Sequence, residues 1–238
     1  MLRNRPLSHL NRMRVTIHQP DFMPWLGFFD RWRASDLYIV LDDVQFLRRG
    51  WHHRDRIKTA AGPAWLTVPV QQKGRYDQLI NEVELDGDAW KRKHLAAIRA
   101  AYGRAPRFAE LFPQLESLYA RPHQRLVDLN VDLLRWLAAH FGITTPMALA
   151  SACAVRQQGT ARLVELCRLY GATAYLTGTG SRAYLDESLF REHGVRVEWQ
   201  AFEHPVYPQL HGAFEAGLSA LDGLMMGHGA PSASGAAA

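Results

Sequence analysis

Short apolar segments and amphipathic segments alternate along the start of the chain, and polar clusters follow the apolar segments directly. Residues 15–17 are β-branched and predict a strand, and residues 36–41 are apolar and predict a buried strand. Between them, residues 25–33 carry aromatic side chains at helical spacing and predict a short helix. The order strand, helix, strand indicates a βαβ unit with parallel strands.

The rest of the chain continues the mixture of strands and helices. Further strands are predicted over residues 64–70, 81–85, 174–177 and 195–202. The middle of the chain, residues 89–137, has a mostly helical pattern that breaks near Pro106 and Pro122, and residues 160–170 predict an amphipathic helix. These elements together predict an α/β fold, a Rossmann-like and mostly parallel sheet with a helical subdomain in the middle third.

We expect one domain over residues 14–227, with the helical insertion at about 89–140. The extension 1–13 is basic without an apolar core, and the tail 228–238 is rich in small residues, so both are expected to be disordered.

Composition excludes several classes of protein. The chain has 238 residues, of which 47% are hydrophobic and 21% charged, and no apolar run approaches the ~18 residues of a membrane span. The two cysteines, Cys153 and Cys167, lack metal-site spacing and fit burial in the reducing cytoplasm. The net charge of +5 comes from scattered residues without a nucleic-acid motif, so nucleic acid is not an expected partner.

Polar residues stand where the first two strands end, which is the edge where parallel sheets bind ligands. His18 could act as a general base or bind a phosphate, or it could only cap its loop. Asp42 and Asp43 could bind Mg²⁺ or substrate hydroxyls, or form an ordinary turn. Because adjacent residues of a strand point to opposite faces, only one of the two is expected to reach a ligand.

The segment 51–58 concentrates histidine, arginine and lysine. Its Arg54, Arg56 and Lys58 could clamp a phosphate or carboxylate, or the whole segment could be a solvated loop. His52 and His53 lack a third ligand, so zinc is not predicted.

In the second half, Gly178 and Gly180 follow a strand and could let an anion approach the backbone, although the loop is neither a Walker A motif nor a dinucleotide fingerprint. Tyr184 and Asp186 could line the same site. The rigid segment 204–209 could line a pocket or pack against the sheet.

Several stretches carry a resemblance that covers residues 14–227 in order: 17–30, 35–36, 41–46, 54, 56–58, 65–70, 171–172, 175–178, 184–186, 190, 204–209, 214 and 218–222. Together they resemble the WbqC-like protein family. The chain departs from the expected pattern at His53 and Met226, where asparagine is more usual in the family. These departures bear on the fine shape of the pocket and not on membership.

The resemblance implies an enzyme of bacterial surface-polysaccharide biosynthesis, of the O-antigen type, that transfers an acyl or aminoacyl group to an amino sugar nucleotide. An acyl carrier protein or an activated amino acid would then be the donor. No cofactor is identified, and Mg²⁺ is compatible with the motifs. Two alternatives stay open: a nucleotidylyltransferase-like enzyme that uses a nucleoside triphosphate, and a non-catalytic module that binds a glycan or carrier protein.

Motif position and chemistry together select the expected site residues. We expect His18 and Asp43 to be catalytic. The expected substrate-binding residues are Gln19, Asp21, Asp42, Gln45, Arg54, Arg56, Lys58, Gly178, Gly180, Tyr184, Asp186, Tyr207 and Gln209.

Overall fold

The computed structural model describes residues 12–229. Its strands are β1 (Arg14–His18), β2 (Leu37–Val40), β3 (Arg54–Thr59), β4 (Gly62–Thr67), β5 (Met147–Leu149), β6 (Ala174–Thr177) and β7 (Arg196–Trp199). Its helices are α1 (Leu26–Arg33), α2 (Ala89–Tyr102), α3 (Phe108–Ala120), α4 (Leu126–His140), α5 (Gly159–Leu169), α6 (Glu187–Glu192) and α7 (Ala220–Met225).

Five of the strands form one parallel sheet, in the order β5-β2-β1-β6-β7. The chain starts at the central strand β1, winds outward through β2 to β5, then returns and winds the other way through β6 to β7. The predicted Rossmann-like α/β fold is confirmed. The winding direction reverses between β1 and β6, which makes their carboxyl ends the topological switch point.

Alternation along the strands gives the sheet two buried faces. Val15 and Ile17 of β1 belong to one apolar cluster, together with residues of α5 and α6. Tyr38 and Val40 of β2 belong to a second cluster, together with α1 and the helices of the middle third. Helices therefore cover both faces, which explains why consecutive residues of the central strands β1, β2 and β6 are buried.

The predicted helical segment is present as α2, α3 and α4, and the breaks fall at Pro106 and Pro122 as expected. The prediction of helix 160–170 is also confirmed, as α5. Gly171 follows α5 with a φ of +65°, a conformation that suits glycine after a helix.

The segment 51–67 differs from the prediction of a loop followed by a strand. β3 and β4 pair as an antiparallel hairpin outside the main sheet. The charged residues Arg54 and Arg56 alternate with the buried residues Asp55 and Ile57, which is the period of a half-buried strand. The loop interpretation overlooked this alternation because four of the first five residues from Arg54 are charged.

Three further elements differ from the prediction. The strand expected at 81–85 is wrong, because a 3₁₀ turn, Ile80–Glu82, occupies its start. Strand β5 and helix α6 were not predicted, and at three and six residues they are too short for a clear periodic pattern.

The disorder expected for 1–13 and 228–238 falls outside the described residues except at positions 12, 13, 228 and 229. Met13 contacts the sheet, since its carbonyl accepts from the backbone N–H of Thr173. His228 stacks on Tyr207, with ring centroids 4.7 Å apart. Within residues 12–229, none of the helices combines the length and the apolar composition that a bilayer crossing requires.

Candidate active site

A cleft of about 520 Å³ opens at the switch point between β1 and β6. We call it the strand-end cleft. Its lining includes His18, Gln19, Trp25, Arg31, Arg162, Gly178, Gly180 and Tyr184. Its volume is within the range of small-molecule sites, and its position is where open α/β sheets bind ligands.

A second cleft, of about 460 Å³, lies between the β1 loop and the β3–β4 hairpin. We call it the hairpin cleft. The residues that matter here are His18, Gln19, Asp21, Trp25, Trp51, His52, Asp55 and Arg56. The two clefts share His18, Gln19 and Trp25, so one short segment of chain forms a wall between them.

His18 is held in one tautomer by its neighbour. Its Nδ1 lies 3.0 Å from the carbonyl oxygen of Gln19, and a carbonyl can only accept, so Nδ1 carries the proton. Nε2 of the neutral ring therefore keeps its lone pair, and it makes no hydrogen bond to any described residue. Burial lowers the pKa of His18 below its ordinary value of 6.5, and the charge of Arg31 acts in the same direction. At neutral pH, His18 can accept a proton at Nε2.

Asp21 lies between two histidines. Its Oδ1 is 3.2 Å from Nδ1 of the buried His52, and its Oδ2 is 3.6 Å from Nδ1 of His18. A carboxylate that faces the Nδ1 side of a catalytic imidazole fixes the ring and stabilises its protonated form. Asp21 raises the pKa of His18 by this interaction, against the larger effect of burial.

Asp55 adds a second carboxyl group to the hairpin cleft. It is 4% exposed, and its Oδ1 accepts from the backbone N–H of Arg56 at 2.6 Å. Burial raises the pKa of Asp55 to about 8, and the charge of nearby Asp21 acts in the same direction. Asp55 is therefore mostly protonated at pH 7 and can donate a proton. A buried carboxyl group that keeps its proton at neutral pH is suited to act as a general acid.

Exposed aromatic side chains stand at the mouths of the clefts. Trp25 is 39% exposed and Trp51 is 47% exposed. Trp51 packs against Trp65, with ring centroids 5.4 Å apart, and the guanidinium of Arg54 lies 4.6 Å from the ring centroid of Trp65. Large aromatic faces at a cleft mouth suit contact with a ring-shaped ligand.

Seven of the residues expected from the sequence line one or both clefts. They are His18, Gln19, Asp21, Arg56, Gly178, Gly180 and Tyr184. They come from distant parts of the chain, which the switch-point topology brings together.

Asp42 and Asp43 line neither cleft, and the carboxylate of each bonds to another side chain of the protein, although Oδ1 of Asp43 has no hydrogen-bond partner among the described residues. Asp42 is buried and accepts from the backbone N–H and the hydroxyl of Ser151, at 2.9 and 2.6 Å. Asp43 pairs with Arg162, which lines the strand-end cleft. The expectation that one aspartate contacts the substrate is therefore corrected: Asp43 positions Arg162, and Asp42 anchors a loop.

Lys58, Tyr207 and Gln209 meet in a buried cluster instead of lining a cleft. The hydroxyl of Tyr207 and the amide of Gln209 donate to the buried Asp222 at 2.9 and 2.8 Å. The ammonium of Lys58 donates to Gln209 Oε1 at 3.0 Å and to the backbone carbonyl of Ala213. The predicted phosphate clamp therefore does not include Lys58, because the loop around Gln209 covers that end of β3.

Three other expected residues also lie away from the clefts. Asp186 caps α6, where its carboxylate accepts from the N–H groups of Ser188 and Leu189. Gln45 is exposed and reaches the carbonyl of Tyr76 at 3.5 Å. Arg54 stacks on the hairpin as described above and donates to the carbonyl of Arg49.

Acidic, histidine and cysteine side chains do not come together in groups of three or more that could hold a metal ion within residues 12–229. The Asp42–Asp43 pair, which suggested Mg²⁺, has its carboxylates bound to Ser151 and Arg162. A metal in this region would need substrate oxygens as further ligands.

Sequence reasoning missed Arg31, His52 and Asp55. Both Asp55 and His52 lie in the charged segment 51–58; the strand alternation of β3 was the available signal for Asp55, whereas His52 lies in the 3₁₀ turn before the strand. Arg31 lies among the aromatic residues of α1, beside Trp32, and its side chain is buried. Because arginines are mostly exposed unless they are paired, this burial indicates a specific role for Arg31.

The sequence model of the WbqC-like protein family matches residues 19–232. The chain belongs to this family. Among curated proteins, it is similar to the uncharacterized protein Rv1507c of Mycobacterium tuberculosis, with 39% identity over 211 residues, which covers 88% of this chain and 91% of that protein. No solved structure is significantly similar to the chain.

The match places both clefts of this WbqC-like protein within the region that defines the family, apart from His18 and Ile17, which immediately precede it. Asp21, His52, Asp55 and the exposed tryptophans Trp25 and Trp51 therefore lie within the matched region.

Proposed function

We propose that this WbqC-like protein transfers an acyl or aminoacyl group to the amine of an amino sugar nucleotide, in the assembly of bacterial surface polysaccharide. The observation that carries the proposal is the position of His18, a ring with a free Nε2 in the wall between two ligand-sized clefts. The donor would occupy one cleft and the acceptor the other, with their reacting atoms at His18.

The proposed reaction begins with the amine of the sugar nucleotide attacking the carbonyl carbon of the donor. A C–N bond forms, and the amine proton passes to Nε2 of His18, whose protonated form is stabilised by Asp21. The bond between the carbonyl carbon and the leaving group breaks, and the leaving group departs with a proton from Asp55. Protons then return from His18 to Asp55 through solvent, so the enzyme is unchanged.

Direct transfer fits the surroundings of His18. Its side chain is hydrogen-bonded to a backbone carbonyl, and none of the described serine, threonine or cysteine side chains is hydrogen-bonded to it. Among residues 12–229, no side chain forms with His18 the nucleophile–base pair that a covalent acyl-enzyme would use at this position.

The test is a mass-spectrometric screen of the purified protein with pooled amino sugar nucleotides and activated acyl or aminoacyl donors, with and without Mg²⁺. We expect an acyl mass gain on the sugar nucleotide that His18→Ala slows by roughly 10²–10⁴-fold. The matched control is His193→Ala, an exposed histidine of the α6 terminus that should leave the rate unchanged.

The other outcomes of the screen decide between the alternatives. Release of pyrophosphate without sugar modification would instead indicate nucleotidylyl transfer. Glycan binding without turnover would indicate a binding module. Full activity of His18→Ala would contradict the proposed role of the histidine.

A further inference from the structure

Arg31 is a buried arginine of α1 in the wall of the strand-end cleft, 6% exposed. The only hydrogen bond that its guanidinium makes to the described residues runs from Nη1 to Oε1 of Gln200, at 3.2 Å. None of the described carboxylates lies within ion-pairing distance of it. A buried charge without a counter-charge is costly, because the loss of hydration is not offset.

The other buried arginine of the same cleft shows the usual arrangement. Arg162 pairs with Asp43 and also donates to the carbonyl of Val155 at 2.6 Å. Where Arg162 has the carboxylate of Asp43, Arg31 has only the neutral amide of Gln200. The described part of the protein therefore supplies a counter-charge to Arg162 but none to Arg31.

The surroundings hold Arg31 toward the cleft. The Nε2 of Gln200 donates to the carbonyl of Gly27 at 2.8 Å and to Asp30 at 2.7 Å, which turns its Oε1 toward Arg31. On the other side, a Cβ added at Gly178 would lie 2.9 Å from Nη1 of Arg31. Gly178 therefore leaves the space that the guanidinium occupies.

We propose that Arg31 is the receptor for the diphosphate of the substrate, bound in the strand-end cleft at the topological switch point. The anion supplies the counter-charge that the protein does not, and a guanidinium can bind two phosphate oxygens at once. The inference rests on the proposed function for the identity of the substrate, a sugar nucleotide, but its binding step can be measured without turnover.

Calorimetry with UDP and with inorganic pyrophosphate tests the proposal. Arg31→Gln should weaken the binding of both by roughly ten- to hundredfold, because a charged hydrogen-bonding partner is lost. The midpoint of its thermal unfolding should stay the same or rise, because a costly buried charge is removed. The matched control is Arg182→Gln, which makes the same change of charge at an exposed position near the cleft and should bind as the wild type does.

Gly178→Ala is a second variant that keeps every charge. Its methyl group displaces the guanidinium of Arg31, so the variant should also bind UDP and pyrophosphate more weakly. It provides the test if Arg31→Gln does not fold. Unchanged affinity in the folded variants would overturn the proposal, as would binding of a simple dicarboxylate in place of both phosphates.

The two proposals fail in different ways. If Arg31→Gln binds UDP more weakly than the wild type but no sugar is acylated in the screen, the diphosphate site is supported and the proposed reaction is contradicted. If acylation proceeds with an unchanged KM for the sugar nucleotide in Arg31→Gln, the reaction stands and the role of Arg31 fails.

Discussion

At the scale of single residues, the site is built from groups whose protonation is set by burial. His18 is kept neutral, with its proton on Nδ1, while burial raises the pKa of Asp55 and keeps it mostly protonated. A base and an acid thus coexist at neutral pH in the walls of one cleft.

This pairing predicts a bell-shaped pH dependence of kcat/KM. His18 must be unprotonated to act as the base, and its pKa is lowered below 6.5. On the acid side, kcat/KM should therefore begin to fall at a pH below 6.5. Asp55 must be protonated, and its pKa is raised to about 8, so the rate should also fall above that pH. Asp55→Asn can neither ionise nor donate this proton, so it should be slower than the wild type at every pH, and its remaining rate should lose the alkaline fall while the acid fall stays.

Values of kcat/KM measured from pH 5 to 10 for the wild type and for Asp55→Asn check this prediction. If the alkaline fall in rate persists in Asp55→Asn, another group causes that fall and Asp55 is not the general acid. Ordinary thermal unfolding of the variant at each pH separates a loss of chemistry from a loss of folding.

At the scale of elements, helix α4 holds the two loops that carry the histidines. The side-chain amide of its buried Asn130 donates to the carbonyls of Pro20 and His52, both at 2.7 Å. The helical insertion therefore has a direct part in the geometry of the site, in addition to its part in the core.

Asn130→Ala should lower the free energy of unfolding by about 2–4 kcal/mol, because two buried carbonyls lose their donor. Asn130→Asp should be at least as harmful, since an acceptor would face two acceptors. Urea denaturation measures both, with Asn81→Ala as the control, because the side chain of Asn81 makes no hydrogen bond to the described residues. A loss in Asn130→Ala no larger than in this control would contradict the bridging role.

At the scale of the whole molecule, the βαβ start and the helical middle third could be predicted because their patterns are long and regular. The position of His18 at a strand end followed from the same pattern. These predictions used information that lies within single segments of the chain.

The features that could not be predicted from the sequence depend on contacts between distant segments of the chain. Lys58 and Asp55 belong to one charged stretch and are both buried, yet Lys58 contacts the loop around Gln209 while Asp55 lines the hairpin cleft. That Arg31 contacts a neutral amide and none of the described carboxylates is likewise a property of the assembled cleft, since Gln200 and Gly178 come from the other half of the chain.

The central claim is that two substrates react directly across the wall that His18 forms between the clefts. Initial velocities with both substrates varied test it most directly, once the screen has identified them. Direct transfer requires both substrates to be bound at once, so double-reciprocal plots should intersect. Parallel lines, together with an acyl mass gain on the protein incubated with donor alone, would show a covalent intermediate and contradict the account.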